Sequence, residues 1–406
     1  MTDWGALAAE RLNQLAQISE AGPGVTRLPF TPQHRQAIAL LTEWMEEAAL
    51  RVHLDDAGTL VGRHEGRAGG GTFYLGSHQD SVREGGAYDG IMGVVMPILA
   101  MRKLNEAGRL PDCSVEVLAF ADEEGVRWPT ALIGSRALAG SFDPAVLEMR
   151  DRDGVPLRAA IEAFGLDLGR IAAVQRPREA ALGFLETHIE QGPVLQEKAQ
   201  PLGIVTAICG IERHQITLTG ETGHAGTLPM ASRRDALVGA AEIISEVNRH
   251  ARATEELRAT VGEIHVAPNV VNAVPREVRM TVELRSPADR VREAAGEHLH
   301  GFAQRVALAS GLMLTAEKTY AQPAQPCDRG FADRLAEVIA EQGHAPLRLA
   351  SGATHDASAM ADLCPIAMLF VRCRDGISHS PREYAAPEDL DAAVHVLSAF
   401  LERPFG

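Results

Sequence analysis

Two strand-like runs, Thr72 to Gly76 and Val115 to Ala121, bracket a long apolar helical stretch that begins just after Asp89. A strand, a helix and a strand in that order admit few folds, because parallel strands need a long crossover where antiparallel ones need only a turn. A β-α-β unit is therefore expected, in an α/β domain whose mainly parallel sheet is flanked by helices. Upstream, Thr31-Pro32 reads as an N-cap with proline in the first turn, and Ile38, Leu41, Trp44, Met45 and Ala48 recur at helical spacing. Such sheets bind ligands beyond the carboxyl ends of their strands. Both runs pass straight into clusters of His, Asp and Glu, which places a candidate site there.

From about Cys209 the pattern changes to strand (Gln215 to Thr219), helix (Asp235 to His250), two strands (Thr260 to Val266, Val278 to Leu284), helix (Ala288 to Ala309) and strand. Gln322-Pro323-Ala324-Gln325-Pro326 reads as a linker, after which the β/α alternation resumes. The expected layout is a discontinuous α/β domain, residues 1–209 and 322–406, with an inserted α+β domain at 210–321. The 46% hydrophobic and 23% charged residues of this 406-residue chain suit such packed domains. A formal charge of −15 argues against a non-specific nucleic-acid binder, which needs a basic face. Asp3, Glu10 and Arg11 interrupt any secretory leader. The longest apolar run, Ile91 to Met101, is about half the roughly 20 residues of a spanning helix and contains Pro97. A cytoplasmic protein with no membrane partner is expected. Cysteines at 113, 209, 327, 364 and 373, with no C-x-x-C pair, support neither a disulfide framework nor a thiolate zinc site.

Five stretches concentrate groups that a core does not need: Gly76 to Val82, Tyr88-Asp89-Gly90, Ala121-Asp122-Glu123-Glu124-Gly125, Glu186 to Gly192, and Gly376-Ile377-Ser378-His379-Ser380. Imidazole and carboxylate donors are what divalent Zn, Mn, Co or Ni accept, and the donors alone do not choose among these metals. Glu123-Glu124 is the most telling pair, since adjacent carboxylates after an apolar strand are costly unless cations compensate them.

In these residues, together with Gly223-His224-Ala225-Gly226 and Pro268-Asn269-Val270-Val271-Asn272, the chain resembles the dinuclear metallohydrolases of the M20 peptidase superfamily. The branch is that of N-carbamoyl-L-amino-acid hydrolases, β-ureidopropionases and allantoate amidohydrolases. The resemblance implies that His78, Asp89, Glu124, His188 and His379 hold two divalent ions, with Asp89 bridging them. It implies that Glu123 is the general base on a shared water whose pKa the ions lower, and that Asp80 steadies the His78 imidazole. His224 would stabilise the oxyanion in the active site of the other subunit of a homodimer. Asn272 and Arg285 would hold a substrate carboxylate, for which a guanidinium fork is suited, and Gln191 and His355 match substrate-contact positions. The inserted domain would serve as dimerisation domain and lid.

Three departures from the family pattern fall around the expected substrate: Thr354 before His355, Leu228 before Pro229, and Trp128-Pro129 after Glu124-Gly125-Val126-Arg127. The implied activity is hydrolysis of the ureido or amide C–N bond of an N-carbamoyl-L-amino acid or related ureido acid. Alternatives are an allantoate amidohydrolase, a β-ureidopropionase, an N-acyl-amino-acid deacylase, or a silent metal-stabilised scaffold. Glu123 discriminates against the last, because a purely structural site has no need of a base beside Glu124.

Overall fold

The computed structural model describes residues 2–66 and 70–405. The chain opens with helices α1 (Trp4–Ala16) and α2 (Pro32–Glu47), then strands β1 (Arg51–Leu54), β2 (Leu60–His64) and β3 (Thr72–His78), helix α3 (Met92–Glu106) and strand β4 (Ser114–Phe120). Two short helices, α4 (Ile133–Ala139) and α5 (Leu157–Ala163), precede β5 (Ala181–Ile189), α6 (Val194–Glu197) and β6 (Leu202–Ile208). There follow β7 (Gly210–Thr219), α7 (Ala236–Ala253), β8 (Arg258–Ala267), β9 (Glu277–Ser286), α8 (Asp289–Ala309), β10 (Met313–Gln322) and β11 (Gln325–Pro326). The remaining elements are α9 (Arg329–Glu341), β12 (Leu347–Ser351), α10 (Asp356–Met360), β13 (Ile366–Val371) and α11 (Pro387–Leu401). The elements fall into two compact units: Met1–Thr206, Cys327–Leu349 and Thr354–Gly406 form the first, Ala207–Pro326 and Ala350–Ala353 the second.

In the first unit the strands lie in the order β1-β2-β4-β3-β5-β13-β6. The pairs β4–β3, β3–β5 and β5–β13 are parallel, while β1–β2, β2–β4 and β13–β6 are antiparallel. The expected mainly parallel sheet thus occupies the centre, with antiparallel strands towards the edges. Four parallel strands send their carboxyl ends to one side of the sheet, so the loops that follow β3, β4, β5 and β13 emerge there together. Every residue of β3, β4 and β13 is buried, as strands covered on both faces must be. α3 is apolar around most of its circumference, and Met92 to Met101 are buried without exception, which fits a helix wholly inside a core. Thr31 caps α2, its hydroxyl accepting from the His34 N–H at 3.2 Å. α1 and α11 share the same core, Leu12 and Leu15 packing in one cluster with Leu390, Leu397 and Leu401. Each such buried leucine contributes about 1.5–3 kcal/mol relative to its exposed state.

The second unit is an antiparallel sheet ordered β10-β7-β9-β8, with α7 and α8 on one face. β9 alternates, burying Val278, Met280, Val282 and Leu284 against Ala240, Ile243, Leu299 and Ala303 of the helices. The run expected as a linker behaves differently. β10 continues to Gln322, and Gln325 and Pro326 pair antiparallel with Ile208 and Ala207. A two-residue strand tolerates Pro326 because it needs few ladder donors.

Candidate metal centre

The loops at the carboxyl side of the first unit bring the expected donors together. His78 ends β3, Asp89 precedes α3, Glu123 and Glu124 follow β4, His188 lies near the end of β5, and His379 follows β13. His78 Nε2 and His188 Nε2 lie 3.4 and 3.2 Å from one oxygen, Asp89 Oδ1. His379 Nε2 lies 3.5 Å from Asp89 Oδ2 and 3.5 Å from Glu124 Oε1. Ligand atoms of His78, Glu123 and Glu124 also fall within 4.8 Å of one another. Asp89 is therefore the shared member, meeting His78 and His188 through one oxygen and His379 through the other. Asp122, Gln191 and His379 adopt positive φ of 56°, 56° and 54°. Three non-glycine residues in this sparsely populated region mark backbone strain at a functional site.

The hydrogen bonds settle which nitrogens face the cluster. His78 Nδ1 lies 3.0 Å from the Asp80 carbonyl, and His188 Nδ1 lies 2.9 Å from the Ile189 carbonyl. A carbonyl only accepts, so each Nδ1 carries a proton and Nε2 is the nitrogen that each ring turns towards Asp89. Two ring nitrogens facing one carboxylate oxygen need a positive charge between them, supplied by protons or by a cation. The titration of the groups states the same demand: burial pushes Asp89 upward, but the His188 and His78 rings overcome it and hold the carboxyl well below its usual range. Burial pushes His78 down, and Asp89, Glu123, Asp80 and Glu124 more than reverse it. Asp80, Asp89, Asp122, Glu123, Glu186, Asp356 and Glu383 are all buried. A nitrogen and oxygen donor set with this excess of buried negative charge fits a divalent cation.

One detail differs from the sequence reading. Asp80 serves His78 through its backbone carbonyl; its carboxylate Oδ1 lies 3.7 Å from the ring and accepts instead from the backbone N–H of Glu123 at 3.1 Å, while Oδ2 accepts from that of Glu124 at 3.2 Å. Asp80 thus fixes the turn carrying both glutamates. Gln191 is turned towards the cluster: its amide donates to Asp89 Oδ2 at 2.8 Å and to Ser378 Oγ at 3.1 Å, and Ser378 Oγ donates to the same Asp89 oxygen at 2.5 Å. His355 is 1% exposed and stands edge-on to His188, with ring centroids 4.6 Å apart. Burial, followed by the neighbouring His188, holds its imidazole well below its ordinary value.

Burial raises both members of the glutamate pair, Glu123 well above its ordinary value and Glu124 to about 7. Gly90 adopts φ +65°, and a Cβ there would lie 2.2 Å from the His78 ring, so the residue after Asp89 has to be glycine. The sequence reading missed Glu383, whose Oε2 accepts from the backbone N–H groups of Tyr88 and Asp89 at 2.7 and 2.9 Å. It fixes the backbone of the shared aspartate, yet no periodicity pointed to it. Glu186 was also passed over, although it lies two residues before His188 on a strand and so shares its face. Its Oε1 accepts from Ser77 Oγ at 2.6 Å and its Oε2 from the Ala357 N–H at 2.8 Å.

His224, Asn272 and Arg285 belong to the second unit. His224 forms an isolated antiparallel bridge with Ala273, and the Asn272 carbonyl accepts from the Ala225 N–H at 2.9 Å, so the first two are neighbours. Arg285 donates through Nε to Glu283 at 2.7 Å and through Nη1 to the Gly352 carbonyl at 2.5 Å, which fixes the plane of its guanidinium. Trp128, one of the departures, is 1% exposed in a core cluster with Phe30, Ile133 and Leu157 and donates from Nε1 to the Val155 carbonyl. It supports the loop after Glu124 from within the core.

Comparison with known proteins follows the same lines. The family model described as peptidase family M20/M25/M40 matches residues 74–403. An N-carbamoyl-L-amino acid amidohydrolase of Geobacillus stearothermophilus is 39% identical, over 96% of this chain and 95% of that protein. An allantoate deiminase of Arabidopsis thaliana is 36% identical, over 97% of this chain and 81% of that protein. Among solved structures, an amidase of the hydantoinase/carbamoylase family from Burkholderia multivorans superposes with a TM-score of 0.91 at 34% identity, covering 98% of this chain and 97% of that one. Since that match takes in the loops carrying His78, Asp89, Glu124, His188 and His379, and the relatives agree along nearly their whole length, the chain belongs to peptidase family M20/M25/M40.

Proposed function

We propose that this chain is an amidohydrolase that uses two divalent metal ions to cleave a ureido or amide C–N bond next to a carboxylate-bearing carbon. Its substrate on this reading is an N-carbamoyl-L-amino acid or a related ureido acid such as allantoate, as the names of its relatives suggest. One observation carries the reading: Glu123 is a buried carboxylate beside the donors of His78 and Glu124, while Asp89 already gathers His78, His188 and His379. A site that merely held an ion for stability would have no use for it.

His78, Asp89, Glu124, His188 and His379 would hold the ions, and bound zinc, manganese, cobalt or nickel would supply Lewis acidity and lower the pKa of water in the site. Glu123 takes a proton from the attacking water as its oxygen bonds to the carbonyl carbon, then delivers that proton to the departing nitrogen as the C–N bond breaks. From an N-carbamoyl-L-amino acid the products are the amino acid, CO2 and ammonia. Gln191 and His355 contact the substrate from the same unit. Arg285 and Asn272 hold the substrate carboxylate, and His224 steadies the oxyanion in the neighbouring subunit of a cytosolic homodimer that associates through the second unit. No helix among the described residues is long and apolar enough to cross a membrane.

The test is a substrate panel. Purified protein loaded with Mn2+ or Zn2+ should release ammonia from N-carbamoyl-L-amino acids, N-carbamoyl-β-alanine or allantoate, and the rank order names the substrate. Absence of ammonia from every ureido acid, with turnover of N-acyl amino acids instead, would replace the proposal by a deacylase.

A further inference from the structure

The second unit carries its own group of nitrogen and oxygen donors, on residues other than those of the Asp89 cluster. Glu246 and His250 stand four residues apart on α7 and so share one face of the helix. His298 comes from α8, which packs alongside. One ligand atom from each of the three lies within 4.8 Å of the others. The two imidazoles are stacked, with centroids 4.1 Å apart and planes 9° from parallel, and His298 Nε2 meets Glu246 Oε1 at 2.6 Å. Below them lies an apolar floor that includes Ile243, Val247, Leu299 and Phe302. We propose that Glu246, His250 and His298 form a second metal site, tying α7 to α8 around a borderline divalent cation such as Zn2+.

The charges of the trio favour this reading. Two protonated rings stacked at this distance would repel, and a cation held between two neutral rings and a carboxylate relieves that repulsion. Two imidazole nitrogens and a carboxylate oxygen make a three-donor face with positions left for water, a set that suits zinc. Arg249 is the competitor. Its Nε donates to Glu246 Oε2 at 2.6 Å and its Nη2 to Oε1 at 2.5 Å, but the side chain is 67% exposed and can swing out into solvent. If the trio were only a polar latch between two helices, zinc would not bind it.

The experiment is equilibrium dialysis of zinc-loaded holoenzyme against micromolar Zn2+, counting metal per chain. Wild type should take up one equivalent beyond its catalytic load. His250→Ala and His298→Ala should each weaken that extra equivalent by at least the roughly 10–100-fold that follows even from loss of an outer-sphere partner. Both should keep wild-type hydrolase activity, which certifies their folding. Arg249→Ala should bind the extra zinc more tightly, because the carboxylate is freed. Absence of the extra equivalent from wild type, or its survival in both histidine variants, overturns the proposal. Unchanged or weaker binding in Arg249→Ala takes Glu246 out of the site and overturns the three-donor assignment.

Discussion

Glu123 and Glu124 share one turn, fixed by the two carboxylate oxygens of Asp80, and their surroundings divide the work between them. Glu124 reaches His379 at 3.5 Å and with it Asp89, whereas Glu123 sits with His78 beside that group. Glu123→Gln should accordingly keep its metal, read by elemental analysis, while kcat falls by about 10²–10⁴, the range for losing general acid–base assistance. Near-normal turnover would place the base elsewhere. Arg285 permits an equally sharp comparison, because Glu283 and Gly352 hold its guanidinium in place. On the carboxylate-anchor reading, Arg285→Ala should lose about 2–5 kcal/mol of binding to an acid substrate and should no longer prefer that acid over its neutral primary amide. Arg285→Lys should recover little, since an ammonium lacks the fork. A variant that discriminates as well as wild type would make Arg285 a purely structural residue.

At the level of elements, helix α2 shows what sequence can and cannot announce. Its cap, its proline and its apolar spacing were all legible, because each is a local matter. His34 in its first turn was not, since its role depends on burial. Its Nδ1 accepts from the Phe30 N–H at 2.9 Å, its ring stacks on Phe164 at 5.0 Å, and burial, with Arg27 and Arg35 nearby, lowers its pKa to about 3. The folded state therefore binds fewer protons than the unfolded one between pH 6.5 and 3, so stability rises with pH across that window and is lost as pH falls through it. Urea unfolding should show stability dropping by about 1.6 kcal/mol between pH 6.5 and 5 from this group, the slope approaching about 1.4 kcal/mol per pH unit at the acid end. His34→Asn, which keeps an acceptor for Phe30, should lack that component, and identical slopes in the two proteins would remove His34 from the account. The same division between local and long-range holds at the metal centre. His78, Asp89, Glu124 and His188 stand in short motifs after apolar strands and could be read directly. Glu383 acts on Asp89 from 294 residues away, a distance over which no local pattern carries information. The pairing of Gln325 and Pro326 with β6 was hidden likewise, behind two prolines that read as a linker.

On the scale of the whole molecule, the proposal that active sites are shared between subunits can be tested by mixing. Glu123→Gln and His224→Ala subunits are each expected to be nearly inactive alone. If His224 serves the neighbouring subunit, each hybrid dimer contains one site with both groups intact, and a randomly exchanged 1:1 mixture, in which about half the dimers are hybrids, should regain about a quarter of wild-type activity. No recovery despite proven subunit exchange would confine His224 to its own chain. The way the first unit is threaded has a further consequence, for the timing of synthesis. Its helix α1 rests on α11, with the Gly5 N–H donating to Asp391 at 3.2 Å, and Asp89 relies on Ser378 and Glu383. A ribosome releases α1 and Asp89 before the inserted segment Ala207–Pro326 and their partners after it. Domains generally fold as units as they appear. The insert can thus take shape on the nascent chain while its host waits, and the donor cluster closes only once the segment that follows the insert has emerged, so that a fragment broken off at the insert carries scattered histidines and carboxylates but no working hydrolase.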